Sequence, residues 1–217
     1  MGKLQKKENE ENIYLMFNKP AGYLTARSDD KDKTIFDILP KDILDNYTIF
    51  PVGRLDKDTE GLLLLTNDGL FNHNVIHANS NVTKTYEFWA LGKLDSNYID
   101  ELKNGVCIDD KFSDGKKITK SATIEILRQE KFSDVKNEIE KLPLRIFRKQ
   151  KDDQDIFLGR ITLSEGRKHE VKRLLKYCKC FVIYLKRISI GNLKLDDNLK
   201  LGDIRKLTDE EIKYFEK

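Results

Sequence analysis

The sequence predicts an α+β fold, with flanking helices on a central sheet of mixed or mostly antiparallel strands. Three observations carry that prediction. Apolar and Thr- or aromatic-rich runs of strand length recur along the chain, each bounded by turn residues. Four or five short segments with helix-cap signatures stand between them. The two kinds of element do not alternate in a regular strand–helix–strand rhythm, which disfavours a doubly wound parallel sheet.

Taken in order, Ile13–Phe17 reads as a strand stopped by the turn Asn18-Lys19-Pro20-Ala21-Gly22. Thr34-Ile35-Phe36-Asp37 has a capping-box-like pattern and predicts a helix of barely two turns, ended by Pro40. Asn67 and Asp68 are cap candidates for a helix running to His77. Thr83–Ala90 is a strand, and Asp95-Ser96 caps a helix that Gly105 closes. Val106–Ile108 and Ile118–Leu127 alternate like strands. Glu130–Lys141 is charged and poorly patterned, so it reads as a loop insertion. Leu144–Phe147 and Ile156–Leu163 read as two arms of a hairpin. A helix over Arg167–Lys179, strands at Phe181–Leu185 and Ile188–Ile190, a Gly191-Asn192 turn and a final helix boxed by Thr208 and Glu211 complete the chain.

Composition sets the outer limits. A chain of 217 residues fits one large domain or two small ones, and no Gly/Ser/Pro-rich linker divides this one. Residues 1–11 are expected to be a disordered lead-in and 12–217 a single domain. Charged residues make up 35% of the chain, yet 40 basic against 37 acidic side chains leave a net charge of only +3. Bulk charge therefore does not declare a nucleic-acid binder, and local clustering must decide. No run of 18 apolar residues occurs, the N-terminus lacks an apolar signal core, and three cysteines make no disulfide framework. A soluble cytoplasmic protein is the expectation.

The most informative stretch is Pro51–Gly69. A polar turn bearing Arg54, Asp56 and Asp58 runs directly into Leu62-Leu63-Leu64-Leu65. Four apolar residues bounded by turn signals read as a strand buried on both faces, and a turn feeding such a strand is rigidly held. Either aspartate could be a simple turn residue, and either could be a positioned carboxylate.

A second informative stretch is the helix predicted over Arg167–Lys179. At 100° per residue, Val171, Leu174, Leu175 and Cys178 share one face. Lys168, Lys172, Lys176 and Lys179 share an adjacent face about 80° wide. From Ile156 to Ile190 there are nine Lys or Arg, including Arg160, Lys186 and Arg187, against two Glu. Such a stripe can be a plain solvated face. With Gly166 just before the helix, it also suits a polyphosphate partner such as RNA.

These segments together resemble the ribosomal RNA pseudouridine synthases of the RsuA/RluB/RluE/RluF group. The resemblance is carried, in order, by Asn18–Gly22 with Thr25, then Gly53-Arg54-Leu55-Asp56 with Thr59, Gly61 and Leu62–Gly69. Lys84-Thr85-Tyr86, Leu163–Arg173, Lys186-Arg187-Ile188 and Gly191-Asn192-Leu193 continue it. The match spans roughly residues 13 to 212.

The resemblance implies a mixed sheet with an active-site cleft, and it implies roles. Asp56 would be the essential carboxylate, Tyr86 would stack on the target uracil, and Lys172 would be the basic partner. Leu163 and Val171 would line the pocket. Arg54, Lys19, Arg167, Lys168, Lys176 and Arg187 would bind RNA. Ribosomal RNA or an assembling ribosomal subunit is the implied partner, with no cofactor and no metal, and a monomer is the default expectation. Two departures stand out. Glu170 occupies a position where Gln is usual, which would put a charge beside the cleft or on its outer wall. The chain also has no room for the S4-type RNA-binding domain that often precedes this fold, an architecture similar to the RluE branch and its large-subunit substrate.

Competing readings are a non-catalytic RNA-binding module of the same fold and a zinc hydrolase built on His73 and His77. The zinc reading lacks a third ligand and has Asn74 where a metalloprotease needs Glu. Cys178-Lys179-Cys180 lacks redox spacing, and Cys178 lies on the apolar face of its helix.

Overall fold

The computed structural model describes residues 11–77, 80–108, 118–143 and 151–216. In chain order these form β1 (Tyr14–Lys19), a 3-10 turn (Ile35–Asp37), α1 (Lys41–Asn46), β2 (Phe50–Val52), β3 (Glu60–Thr66) and α2 (Gly69–Ile76). Then follow β4 (Lys84–Gly92), α3 (Ser96–Lys103), β5 (Ala122–Lys131), α4 (Phe132–Ile139), β6 (Asp155–Leu163) and α5 (Glu170–Tyr177). The chain ends with β7 (Cys180–Ile190), β8 (Leu193–Lys194), β9 (Ile204–Lys206) and α6 (Asp209–Lys213). The α+β class is as expected. The chain divides into two compact units, one made of the segment up to Val82 and the segment from Arg187 onward, the other of Thr83–Lys186.

In the first unit β3 is the organising strand. It pairs antiparallel with β1, from Tyr14↔Thr66 to Lys19↔Gly61, and with β2, from Phe50↔Thr66 to Val52↔Leu64. Strand β9 adds to the far side of β1, with Met16 opposite Arg205. Every residue of β3 is buried, so its leucines are covered on both faces as the sequence predicts. Leu62 and Leu64 pack with Met16, Phe71, Val75, Ile190 and Phe215, while Leu63 and Leu65 point the other way. Each such leucine contributes about 1.5–3 kcal/mol by leaving water.

The exit from β3 is pinned by side chains. Thr66 Oγ1 donates to the Ile13 carbonyl at 2.6 Å, and Asn67 Oδ1 accepts the Ile13 N–H at 2.9 Å. Asp68 caps α2, accepting the Leu70 and Phe71 N–H groups. It also accepts the Tyr14 hydroxyl at 2.8 Å. Burial, together with the Asp68 carboxylate, pushes the Tyr14 phenol up to about 12.

In the second unit β6 runs between β4 and β5, antiparallel to both. Gly159 marks the crowded point of β6. A Cβ there would lie 2.7 Å from the Phe88 ring and 2.8 Å from the Glu125 carbonyl oxygen. The expected core role of Phe88 and Trp89 holds, since both are buried. Strand β5 ends in α4, whose Phe132, Val135 and Ile139 pack with Trp89, Leu91, Ile156 and Ile183.

Several sequence-based expectations are corrected here. The charged Glu130–Lys141 segment is not a loop, because its apolar residues at i, i+3 and i+7 give α4 a buried stripe. The Thr34 capping box starts only a 3-10 turn, and α1 follows Pro40 rather than ending at it. The two strands expected in 181–190 are one continuous strand, β7. The hairpin arm expected at Leu144–Phe147 lies outside the described residues, and β6 pairs instead with β4 and β5.

Candidate active site

The turn 53–59 joins β2 to β3, and its backbone is held by side chains from the β1 turn and the loop that follows. Thr25 Oγ1 donates to the Leu55 carbonyl at 2.8 Å and accepts the Leu55 N–H at 3.2 Å. Lys19 Nζ donates to the carbonyls of Pro20 at 3.0 Å, Asp56 at 3.2 Å, Lys57 at 3.4 Å and Thr59 at 3.0 Å. The Gly22 N–H reaches the Lys57 carbonyl at 2.7 Å, and the turn closes on itself from Thr59 N–H to the Asp56 carbonyl at 3.1 Å. Gly53 at φ +73° and Gly61 at φ +99° adopt the left-handed region at either end, which glycine enters without a Cβ clash. The backbone of Asp56 is thus held on both sides, with its side chain half-buried at the turn.

This geometry corrects one assignment outright. Lys19 cannot be an RNA contact, because it is wholly buried and its ammonium group binds the carbonyls of the turn. Arg187 is likewise not on the surface. It is 4% exposed, and its Nε donates to the Leu62 carbonyl at 2.7 Å. Arg54, by contrast, is exposed on the same turn as Asp56. Lys57, also exposed, pairs with Asp32 at 2.5 Å.

Lys19, Arg54, Asp56 and Arg187 belong to the first unit. The remaining candidates belong to the second. Tyr86 lies opposite Ile161 in the β4–β6 ladder, and Leu163 lies two residues further along the same face. Tyr86 is 9% exposed. Leu163 and Val171 are buried, consistent with lining rather than contacting solvent.

The basic stripe is shorter than the sequence suggests. Helix α5 begins at Glu170, because His169 before it takes φ +54°. Lys168 therefore precedes the helix, and Lys179, at φ +61°, follows it. Lys172 and Lys176 remain one turn apart on α5, half-buried and exposed respectively. Lys168 is exposed beside Arg167. Arg167 engages its guanidinium within the protein, with Nε to Glu165 at 3.1 Å and Nη2 to the Ile118 carbonyl at 2.7 Å.

Of the two expected placements of Glu170, beside the cleft or on its outer wall, burial rules out the outer wall. The residue is 4% exposed, and burial together with the hydrogen bond to Glu165 pushes its carboxyl up to about 8. Burial raises Glu165 too, but hydrogen bonds from Glu170, the Lys120 N–H and Arg167 outweigh it and hold that group below its ordinary value. Neither the Lys19 anchor nor this acid pair was assigned from sequence. The available signal for Lys19 was its position at the end of an apolar strand.

Burial pushes the Cys178 and Cys180 thiols up to about 12 and about 11, so neither is a thiolate at neutral pH. The rings of His73 and His77 lie 4.5 Å apart, and no group of three His, Cys, Asp or Glu among the described residues is placed to hold a metal. Treatment with EDTA is expected to leave activity unchanged, and a loss reversed by zinc would revive the metal reading.

The fold has a counterpart among solved structures. A crystal structure of a pseudouridylate synthase superposes with a TM-score of 0.73 at 30% identity, covering 95% of this chain and 74% of the other. Among curated relatives, an RNA pseudouridine synthase of Bacillus subtilis, YtzG, is 38% identical over 92% of this chain and 72% of its own. The ribosomal small subunit pseudouridine synthase A of Salmonella typhimurium is 32% identical, with shares of 92% and 72%. The ribosomal large subunit pseudouridine synthase B of Buchnera aphidicola is 33% identical, with shares of 95% and 72%. Residues 13–177 match the family model described as RNA pseudouridylate synthase, and the chain belongs to that family of isomerases.

Proposed function

We propose that the protein converts a uridine of ribosomal RNA to pseudouridine, with Asp56 as the reacting carboxylate. The observation that carries this reading is the doubly anchored turn. Thr25 and Lys19 hold the backbone from Leu55 to Thr59, so the Asp56 side chain starts from a fixed base in a chain of this family. The reaction breaks the bond from N1 of uracil to C1′, turns the base, and joins C5 to C1′. The C5 proton is given up and N1 gains one, so product and substrate are isomers. One carboxylate suffices, either by attacking a carbon centre or by removing a sugar proton.

The target base must leave its stack, at a cost of a few kcal/mol. Stacking on Tyr86 offsets part of that, about 1–3 kcal/mol. Lys172 takes the basic role of the family pattern, and Leu163 and Val171 form pocket wall. Arg54, Lys168 and Lys176, all exposed, hold phosphates. The relatives named for the small and for the large ribosomal subunit share ribosomal RNA as substrate class.

Pseudouridine mapping on both ribosomal RNAs from cells lacking this protein tests the reading. One site is expected to be lost, and restored by the wild-type chain. An unaltered map would overturn the assignment and leave an RNA-binding role. The electrostatic part has its own test. RNA affinity is expected to fall steeply with salt, and Lys168→Ala combined with Lys176→Ala to flatten the log–log slope by about 1.5, two phosphates at about 0.7–0.9 each. An unchanged slope would place these lysines away from RNA.

A further inference from the structure

Helix α2 follows the organising strand β3 and presents a face that the reaction described above does not use. From Gly69 to Thr83 the sequence contains no Asp, Glu, Lys or Arg, its longest run without one, in a chain that is 35% charged. Every other described α-helix carries several such residues, whereas α2 carries none. Phe71 and Val75 form its inner side and pack with Leu62 and Leu64. At about 100° per residue, Leu70, His73, Ile76 and His77 fall within about 120° on the opposite side. All four are exposed, Leu70 at 71% and Ile76 at 45%. The rings of His73 and His77 lie against each other, with 34° between their planes. The outer face of α2 is thus a stripe of two aliphatic side chains and two aromatic rings.

Apolar residues scattered singly over a surface are ordinary. A stripe of them, with charge excluded from the whole segment, has the composition of a contact surface rather than of a solvated helix face. The stripe is also firmly mounted. Asp68 caps the start of α2, Asn74 Nδ2 donates to the Phe215 carbonyl at 3.2 Å, and Ser80 Oγ donates to the His77 carbonyl at 2.7 Å.

The position of the stripe indicates its partner. A Cβ placed on Gly53 would lie 3.5 Å from Ile76 Cγ2, so the end of α2 rests against the residue that opens the turn carrying Arg54 and Asp56. An RNA strand that brings a uridine to Asp56 passes its flanking nucleotides over the surfaces beside that turn. Exposed Arg54 offers a charge to phosphate there. Helix α2 offers rings and methyl groups instead, and no carboxylate on it repels the RNA backbone. Base faces are the part of RNA that suits such a surface, since unpaired bases stack on aromatic side chains, His included.

We propose that the outer face of α2 is an RNA contact, in which an unpaired base flanking the target uridine stacks on the His73–His77 pair and packs beside Ile76. This contact deepens the function proposed above and rests on it.

The test uses the full chain with unmodified transcripts of both ribosomal RNAs, and with ribosomal subunits from cells lacking the protein. Short-wave ultraviolet light joins the wild-type protein to bases in direct contact, and peptide mapping locates the joined residues. Adducts are expected on 69–77 as well as on the turn 53–59. Adducts on the turn with none on α2 would overturn this contact and leave the proposed function standing. Affinity for the same RNA is then compared between wild type, His73→Ala with His77→Ala, and His73→Phe with His77→Phe. The alanine pair should bind about ten-fold more weakly, the loss of one stacked base. The phenylalanine pair keeps the rings without the imidazole nitrogens and should stay within about three-fold of wild type. Both pairs should melt within a few degrees of wild type, because the replaced side chains are exposed. Unaltered affinity in the alanine pair would overturn the contact, and equal weakening in both pairs would overturn stacking. Weaker binding to the subunits alone, with the transcripts bound as by wild type, would assign the face to a ribosomal protein and overturn the proposal. A wild-type chain that modifies neither transcripts nor subunits would overturn the proposed function, and this contact with it.

Discussion

Asp56→Asn is expected to lower pseudouridine formation by at least about 10²–10⁴-fold, the range typical for loss of one proton-transferring group, and further if the carboxylate forms a covalent bond. The substitution keeps the side-chain volume, removes the ability to ionise and replaces one acceptor oxygen with an NH2 donor. The anchors around the turn act on backbone atoms: Thr25 on Leu55, and Lys19 on the carbonyls of Asp56, Lys57 and Thr59. None of these is altered by the exchange, so the variant should fold, with a Tm within a few degrees of wild type. RNA affinity should remain within a few-fold, because phosphate contacts dominate it. Asp58→Asn is the matched control. Asp58 is also half-buried on the same turn, but it is expected to retain activity. Turnover and binding measured together on both variants decide between the two aspartates. Full activity in Asp56→Asn would remove it from the reaction.

How far the molecule could be read in advance depended on whether the signal was local. The four leucines of β3 announced a strand covered on both faces, and burial of every residue from Glu60 to Thr66 agrees. Asp68 and Asp95 announced caps, and both accept backbone N–H groups at helix starts. These features are written in consecutive residues. The failures arose where distant contacts decide. Lys19 counts as a cation in any composition, and nothing in its neighbours says that four carbonyls around it make it internal. The charged surface of α4 hid three buried residues at helical spacing. An angular count placed Lys168 on a helix that His169, at φ +54°, prevents from starting there. Glu170 looked like a charge beside the cleft or on its outer wall, because Glu165, which acts on it, is five residues away and joined to it by a turn rather than by helix.

The largest effect on the folded state is expected from Lys19→Met. Methionine replaces much of the buried stem but removes the ammonium group, whose three N–H donors serve the carbonyls of Pro20, Asp56, Lys57 and Thr59. Each buried acceptor left without a donor costs about 1–3 kcal/mol, and water that enters to replace the ammonium recovers part of this. A net loss of about 3–5 kcal/mol is the expected result, which for a chain of this size corresponds to a Tm lower by about 10 °C. Turnover should fall with it, since the same carbonyls fix the backbone under Asp56. The RNA salt slope should stay unchanged, because a buried ammonium releases no counterion from the RNA backbone. That combination separates the two roles assigned to this residue. A lysine that met phosphate from the surface would give the opposite pattern, with a flatter salt slope and an unaltered Tm. Calorimetry and salt-dependent binding on the one variant therefore decide whether the turn carrying Asp56 is held from beneath by an internal cation.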